Sequence, residues 1–375
     1  MEPSELEESD VTEDYDFPPR ERKIITQPYD LSLQTLKEQW AQKTLVIPPM
    51  QREYVWDNGR ASRLIESLLL NIPVPPIYFA ERSDAVFEIV DGHQRVRSIV
   101  RYLDNHFALT GVRILTEYTR TKYHQLPDKE RRFLMTRSLR AVVIGSESHP
   151  NMKFETFERL NTGGIALNPQ ELRNSLYRGS LNDLLRRLAR ECNAFRNAIG
   201  TPKPRRRMVD EELVLRWLAF RDCLASYRPP LKRFLNEYMQ RNQRANEDWL
   251  QQRAAHFEQT MRRLNEILGT QAFRLIDEDG NRLRDERGKA VPGGVNRALF
   301  DAQGTAFSWI DDPQLSDRRR QVVKEISREL TRVDLQDAVR RATGDRTRIR
   351  LRISRIARAL RSGGVHVDVP EHLEL

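Results

Sequence analysis

The sequence predicts an α+β protein in which a small mixed-sheet domain is followed by a mainly α-helical domain. Two observations carry this prediction: the segments with strand character all lie before residue 150, and the pattern after it is helical. We expect residues 1–22 to form a disordered acidic tail. Residues 23–150 would then form the sheet domain, and residues 151–375 a helical domain with a basic C-terminal region. A chain of 375 residues is long enough for two domains of ordinary size.

The strand candidates of the first domain are short, rich in β-branched or aromatic residues and bounded by turns. They lie at residues 77–80, 86–90 and 139–144, and a short extended piece at residues 23–29 precedes them. Between them, residues 31–42 carry a helical apolar face, and Asp57 or Asn58 can cap a second helix. A third helix follows the strand candidate at residues 86–90 directly. A turn therefore lies between that strand and a helix N-terminus.

The second half of the chain carries helix signals. Asn168, Pro169 and Glu171 combine a capping residue, a proline in the first turn and an acid behind it. A last amphipathic helix places Ile349 and Leu360 on its apolar stripe, together with Ile353 and Ile356, and its other faces are rich in arginine. Residues 277–296 are rich in glycine and charge, which predicts an exposed loop.

The net charge of +9 is unevenly distributed. Residues 1–17 carry eight acids and no base, whereas residues 318–361 carry fifteen Lys or Arg against five Asp or Glu, a local charge of +10. The rest of the chain is therefore close to neutral. Clustered positive charge is typical of a nucleic-acid binder. A well-solvated arginine-rich surface is the alternative.

Several classes of protein are excluded by the composition. No stretch approaches the ~20 apolar residues that span a bilayer, and the acidic N-terminus lacks the apolar core of a secretory signal. Cys192 and Cys223 are too few and too isolated for a disulfide framework or a zinc site. We therefore expect a reduced, cytoplasmic protein without membrane partners.

The residues most suited to chemistry form the sequence Asp91-Gly92-His93-Gln94-Arg95, hereafter the DGHQR turn. Gly92 lets the backbone approach a ligand closely, and the amides that open the next helix favour an anion. Arg95 can add a forked contact to phosphate oxygens. Asp91 can hold a metal ion or orient a water, and His93 can carry a proton. The alternative is an ordinary turn after a strand.

Other segments join this turn as candidates. Gln51 and Arg52 follow a stiff diproline in IPPMQREYVW, and Asn161 belongs to FERLNTGG, where two glycines allow close backbone approach or simply end a helix. The ELRN segment at residues 171–174 supplies further polar groups. An ordinary solvated helix start, with Glu171 in a capping role, is the alternative for that segment.

Taken in order, IPPMQREYVW, DGHQR, FERLNTGGIAL and ELRN resemble the ParB/sulfiredoxin-like proteins grouped as domain-of-unknown-function family 262, which includes the GmrSD-type modification-dependent restriction enzymes. The resemblance covers residues 44–178, and the PVPPIYF segment is similar to a segment of ParB. It implies a ParB-like domain that binds a nucleoside triphosphate, with Mg²⁺ as a candidate cofactor, at Asp91, Gly92, Gln94 and Arg95. It also implies Gln51, Arg52 and Asn161 as neighbours. Catalytic roles fall to Asp91, His93 and Gln94, and a metal ligand set is not identified.

Two features depart from the family pattern. His93 replaces the first glutamine of the family's DGQQR loop, and a histidine can titrate where a glutamine cannot. In addition, many members carry a C-terminal HNH nuclease domain, but His256, His366 and His372 lack a neighbourhood of metal ligands in the sequence. We therefore expect DNA cleavage to belong to a partner chain.

These features favour a nucleotide-binding, NTP-hydrolysing DNA-sensing subunit of a restriction or anti-phage system, which gates DNA engagement or a partner nuclease. One alternative is a non-enzymatic ParB-like DNA clamp that uses nucleotide as a switch. A standalone ParB-like nuclease is another. The expected partners are DNA and an HNH-type nuclease protein, and self-association is left open.

The last amphipathic helix is the predicted DNA contact. Its apolar stripe would pack inward and leave Arg348, Arg352, Arg355 and Arg358 on the flanks and outer face. Unpaired arginine is rarely buried, so this face would suit a phosphate backbone. In the alternative, these arginines pair with acids of neighbouring helices or of the N-terminal tail.

Overall fold

The computed structural model describes residues 18–48, 54–82, 84–160, 167–277, 281, 294–311 and 315–371. The chain forms two compact units whose boundary lies between Asn168 and Pro169. The sequence placed this boundary near residue 150. The helix at Pro150–Leu160 belongs to the first unit, where it packs against the strand that leads into the DGHQR turn.

The first unit, hereafter the sheet unit, contains five strands and five α-helices among its described residues. The strands are β1 (Thr26–Ser32), β2 (Leu45–Val46), β3 (Ile77–Glu81), β4 (Phe87–Asp91) and β5 (Ser138–Ile144). The helices are α1 (Leu33–Ala41), α2 (Asn58–Leu69), α3 (His93–Leu103), α4 (Asp128–Thr136) and α5 (Pro150–Leu160). The strand order is β1-β5-β3-β4-β2. Strands β1/β5 and β3/β4 pair antiparallel, whereas β3/β5 and β2/β4 pair parallel, which confirms the predicted mixed sheet.

Local signals start the helices of the sheet unit. The Ser32 hydroxyl accepts from the Thr35 backbone N–H at 3.0 Å and so caps α1. The predicted cap at Asp57 accepts from the Arg60 N–H at 2.6 Å at the start of α2. Alternation along β5 then buries Leu139 and its second neighbours against the helices, because successive strand side chains point to opposite faces.

The second unit, hereafter the helical unit, is built from ten α-helices among the residues described there. They are α6 (Pro169–Leu176), α7 (Ser180–Glu191), α8 (Asn193–Ile199), α9 (Val209–Cys223), α10 (Leu231–Arg241), α11 (Glu247–Leu268), α12 (Arg297–Ser308), α13 (Arg319–Leu330), α14 (Val333–Arg340) and α15 (Arg346–Ser362). The α+β class predicted from the sequence is thereby confirmed.

Helix α9 runs through the core of the helical unit and is buried on all sides over residues 213–220. The Trp217 indole N–H donates to the Gly304 carbonyl of α12 at 2.9 Å. A Cβ at Gly304 would lie 2.9 Å from the indole ring, so only glycine allows these helices to approach so closely. A helix buried in this way lacks the amphipathic stripe of a surface helix, and its one charged residue in this stretch, Arg216, is paired in the interior.

The interior of the helical unit also contains ion pairs. Arg216 of α9 and Asp301 of α12 are fully buried and form two bonds of 2.9 and 2.6 Å. The ELRN segment is also buried rather than solvated, because Arg173 bonds to Asn236 at 2.8 Å and Asn174 bonds to Glu211 at 2.5 Å. This segment therefore contributes to the core of the unit.

The predicted acidic tail lies outside the described residues up to residue 17, as does most of the predicted loop at 277–296. The remainder of residues 1–22 includes a single 3₁₀ turn, Pro19–Glu21. The Glu21 carboxylate there accepts from the Asn151 amide at 3.0 Å. Within the described part of the chain, no helix is long and apolar enough to cross a membrane.

Candidate functional site

The DGHQR turn joins β4 to α3, as the sequence predicts. Gly92 is buried and adopts φ +94°, a left-handed conformation that side chains rarely tolerate. A Cβ there would lie 2.4 Å from Cγ2 of Ile77 on the neighbouring strand β3. Glycine is therefore required both by the backbone angle and by the packing. The result is a sharp reversal that places Asp91 and His93 at adjoining ends of a strand and a helix.

Arg95 folds back from the first turn of α3 onto the strand ends. Its Nη2 donates to the Asp91 carboxylate at 2.8 Å, and its Nη1 donates to the carbonyl of Pro76 at 3.1 Å and to that of Pro75. The side chain retains 13% of its exposure, and that of Asp91 retains 29%. Burial lowers the pKa of Arg95 and the Asp91 charge opposes this shift. Arg95 thus holds the PVPP segment against the turn.

Gln94 connects the turn to the end of the IPPMQREYVW segment. Its Oε1 accepts from the backbone N–H groups of Val55 and Trp56 at 3.0 and 3.3 Å. The amide nitrogen of Gln94 therefore faces the other way, 2.8 Å from Nε2 of His93. Since that amide nitrogen can only donate, the His93 Nε2 accepts the bond and carries no proton in this arrangement. Two of the three predicted catalytic side chains, His93 and Gln94, are thus hydrogen-bonded to each other.

Sequence reasoning missed a second layer behind the turn. The Tyr54 hydroxyl lies 3.0 Å from the Ser98 hydroxyl, and Ser98 donates to the Gln94 carbonyl at 2.8 Å. The guanidinium of Arg101 stacks 4.4 Å from the centre of the Tyr54 ring. The sequence does contain a signal for these residues: Gln94, Ser98 and Arg101 follow one another at intervals of four and three, which places them on one face of α3.

The remaining predicted neighbours of the turn cannot be placed. Gln51, Arg52 and Asn161 lie outside the described residues. The structure therefore describes Asp91, Gly92, His93, Gln94 and Arg95. The nucleotide-binding role of these residues other than His93, and of Gln51, Arg52 and Asn161, stays a prediction, as do the catalytic roles of Asp91, His93 and Gln94. The part of the chain that the structure describes contains no group of three His, Cys, Asp or Glu suited to a metal ion.

The predicted DNA face of α15 needs a correction. Arg352 does not lie on the outer face: it is fully buried, and it donates to the carbonyls of Ala338 and Thr343 at 3.0 Å each. It lies three residues after Ile349 and four before Ile356, which places it on the buried stripe of the helix. The physical reason is that backbone carbonyls supply the partners a buried guanidinium needs.

The flanking arginines of α15 differ from one another. Arg348 bonds to Asp337 at 2.6 Å, and Arg355 bonds to Asp334 at 2.5 Å and lies 3.4 Å from Glu329. These pairs match the alternative in which the arginines bind acids of neighbouring helices. Arg358 is exposed.

A family comparison covers the whole region around the turn. Residues 33–178 match the family described as GmrSD restriction endonuclease, N-terminal domain. No curated protein matches the chain. The matched stretch begins at α1, contains the DGHQR turn and ends just after α6 and its ELRN segment. This part of the chain is therefore similar to the N-terminal domain of a GmrSD-type restriction endonuclease.

Proposed function

We propose that the protein is a cytoplasmic component of a restriction or anti-phage defence system, and that it senses DNA under the control of a nucleoside triphosphate bound at the DGHQR turn. The similarity of residues 33–178 to a restriction-endonuclease domain supports the system. The observation that supports the site is the buried left-handed Gly92, which opens α3 directly at the end of a strand. Helix N-termini of this kind are suited to phosphate because their first amides and their dipole both favour an anion.

In the proposed site each residue of the turn has a separate role. The first amides of α3 contact the phosphates, and Arg95 keeps the turn closed while adding positive charge beside them. Asp91 is the carboxylate that would meet a Mg²⁺ ion bound to those phosphates. The Nε2 atom of His93 accepts a hydrogen bond from Gln94, so His93 would take up a proton there only once Gln94 turns away from it.

The link to the neighbouring segment supports a switching role. Gln94 holds the backbone at Val55 and Trp56, and Val55 itself is 71% exposed. A ligand that draws Gln94 towards itself would release this segment. Nucleotide occupancy would then change the surface that the sheet unit offers to DNA or to a partner nuclease of the HNH type.

Titration calorimetry with ATP, GTP, CTP and UTP tests the binding site. Arg95→Ala should weaken binding by about tenfold or more, because it removes the positive charge beside the phosphates and the charged hydrogen bonds that keep the turn closed, and a bond of this kind contributes ~1.5–3 kcal/mol. Arg140→Ala is the matched control, since the Arg140 side chain of β5 is exposed and pairs with Asp30 of β1 instead of with a residue of the turn. Arg95→Lys keeps the charge and tests binding if the alanine variant is unstable.

The outcomes separate the possibilities. Failure of the parent to bind any triphosphate would contradict the proposal, and so would equal affinity of the parent and both Arg95 variants. Phosphate release during the binding assay distinguishes hydrolysis from a non-enzymatic clamp. Cutting of plasmid DNA by the chain alone would instead favour a standalone nuclease.

A further inference from the structure

Helix α13 carries a row of cations that face solvent. Arg320, Lys324 and Arg328 are each exposed and follow one another at intervals of four residues. Two residues after each of them, Val322, Ile326 and Leu330 are completely buried, so the helix has opposite basic and apolar faces. Within the described part of the chain, no carboxylate forms an ion pair with any cation of this row.

The acids of the same helix are directed elsewhere. Glu325 accepts a hydrogen bond from Gln321 at 3.4 Å, and Glu329 contacts Arg355 of α15 at 3.4 Å. The positive charge of the row is therefore not balanced within its own helix. This distinguishes α13 from α15, whose Arg348 and Arg355 are neutralised by carboxylates.

Arg358 of α15 extends the basic surface. The two helices run antiparallel, because Glu329 meets Arg355 while a Cβ at Gly363 would touch Val322 at 2.8 Å. The exposed Arg358 lies between these two contacts along α15. It is therefore beside the segment of α13 that carries Lys324 and Arg328.

We infer that this surface, formed by Arg320, Lys324, Arg328 and Arg358, binds the phosphate backbone of duplex DNA. The inference rests on the DNA-sensing part of the proposed function and places that contact on the helical unit. Four residues of α-helix rise ~6 Å, so the row of three cations spans ~12 Å. Each strand of a duplex carries a phosphate per ~3.4 Å of axis, so the row can meet about three phosphates. Exposed cations at regular intervals along one helix favour a regular polyanion over an irregular acidic protein surface.

Fluorescence anisotropy with a short labelled duplex at several salt concentrations tests this assignment. Replacing Arg320, Lys324 and Arg328 together by glutamine keeps helix propensity and removes three charges. We expect the slope of log K against log salt to become shallower by about 2.7, since each phosphate contact contributes ~0.9. We expect the affinity at low salt to fall by about tenfold or more. Arg358→Gln alone should reduce the slope by up to ~0.9.

The matched control removes the same charge from the sheet unit. Lys122, Lys129 and Arg132 are exposed there, and their replacement by glutamine changes the net charge equally. We expect this control to keep most of the parent's slope. Parent-like slopes in the α13 variant would overturn the assignment while leaving DNA sensing intact. A parent that binds no duplex would overturn both. Tighter binding of a labelled polyglutamate than of the duplex would assign the surface to an acidic protein instead.

Discussion

The DGHQR turn and the interior of the helical unit both use an arginine–aspartate pair, and they differ in how far water reaches them. Arg95 and Asp91 keep 13% and 29% of their exposure, whereas Arg216 and Asp301 keep 1% and 0%. In the interior both oxygens of Asp301 are bonded by Arg216, and Arg352 lies 3.9 Å away. At the turn, Asp91 makes one bond to Arg95 and keeps exposed surface.

This difference shows that the residue types of a pair do not reveal its role. A fully buried pair cannot release a partner without leaving an uncompensated charge, which costs several kcal/mol. It therefore stabilises one structure. A partly exposed pair can exchange a partner with water or with a ligand at lower cost. In the proposed function this exposure lets the turn respond to a nucleotide, whereas the interior pair holds α9 and α12 together.

The strongest test of the comparison is Asp301→Asn. The change keeps the shape of the side chain but removes the Asp301 charge that faces Arg216 and Arg352, while the longer pair of Arg216 with Glu212 at 3.6 Å remains. We expect the free energy of unfolding to fall by about 3–5 kcal/mol, as for other buried pairs that lose one partner. Chemical denaturation would measure it. Asp183→Asn breaks an exposed pair with Arg186 and should cost less than ~1 kcal/mol. Similar losses in both variants would remove the distinction between interior and surface pairs.

A smaller loss is expected from Gly92→Ala at the turn. A side chain at φ +94° is strained by about 1–3 kcal/mol, and the new Cβ would also press on Ile77. Gly111→Ala is the matched control, because Gly111 has φ +64° but no atom within 4 Å of an added Cβ. The difference in melting temperature between the two variants isolates the packing contribution at Gly92. Equal losses of melting temperature in the two variants would show that the close approach of Gly92 to β3 adds nothing to the cost of the substitution.

The smallest effect on stability is expected at a buried carboxylate that accepts from backbone N–H groups instead of pairing with an arginine. Glu66 of α2 accepts from the N–H groups of Arg113, Ile114 and Leu115 at 2.8, 2.7 and 2.9 Å. Burial alone would raise the pKa of Glu66, but these three bonds outweigh it and hold that pKa below its ordinary value of 4.5. The carboxylate therefore contributes stability above pH 4.5, and this contribution is lost as the pH falls through the lowered pKa.

Thermal melting of Glu66→Gln across acidic pH measures this contribution. The variant should be less stable than the parent near neutral pH, and the difference should shrink once the parent's carboxyl is protonated. Glu158→Gln on α5 is the control, because Glu158 lies on a different helix of the sheet unit. A pH-independent difference between the parent and Glu66→Gln would mean that shape, and not charge, is what the backbone N–H groups require.

The sequence by itself determined the order of the elements and the position of the turn. β-Branched and aromatic content between turns predicted β3, β4 and β5, and period-3.6 apolar patterns predicted α1, α2, α9 and α15, because burial of one helix face imposes that period. Asp57 and the DGHQR turn were found for a similar reason, since a capping carboxylate and a left-handed glycine act through neighbours in the chain. The two-residue strand β2 was missed because it is too short to show a period.

Only the tertiary structure decided which charges face solvent. Sequence patterns placed Arg352 with Arg358 on an outer face. In the structure Arg352 is buried and donates to the carbonyls of Ala338 on α14 and of Thr343 after it, while Arg358 is exposed. The sequence showed the cations of α13 only as part of the longer basic run at residues 318–361. Whether an arginine meets a carboxylate, a carbonyl or water depends on residues far apart in the chain, and local periodicity does not contain that information.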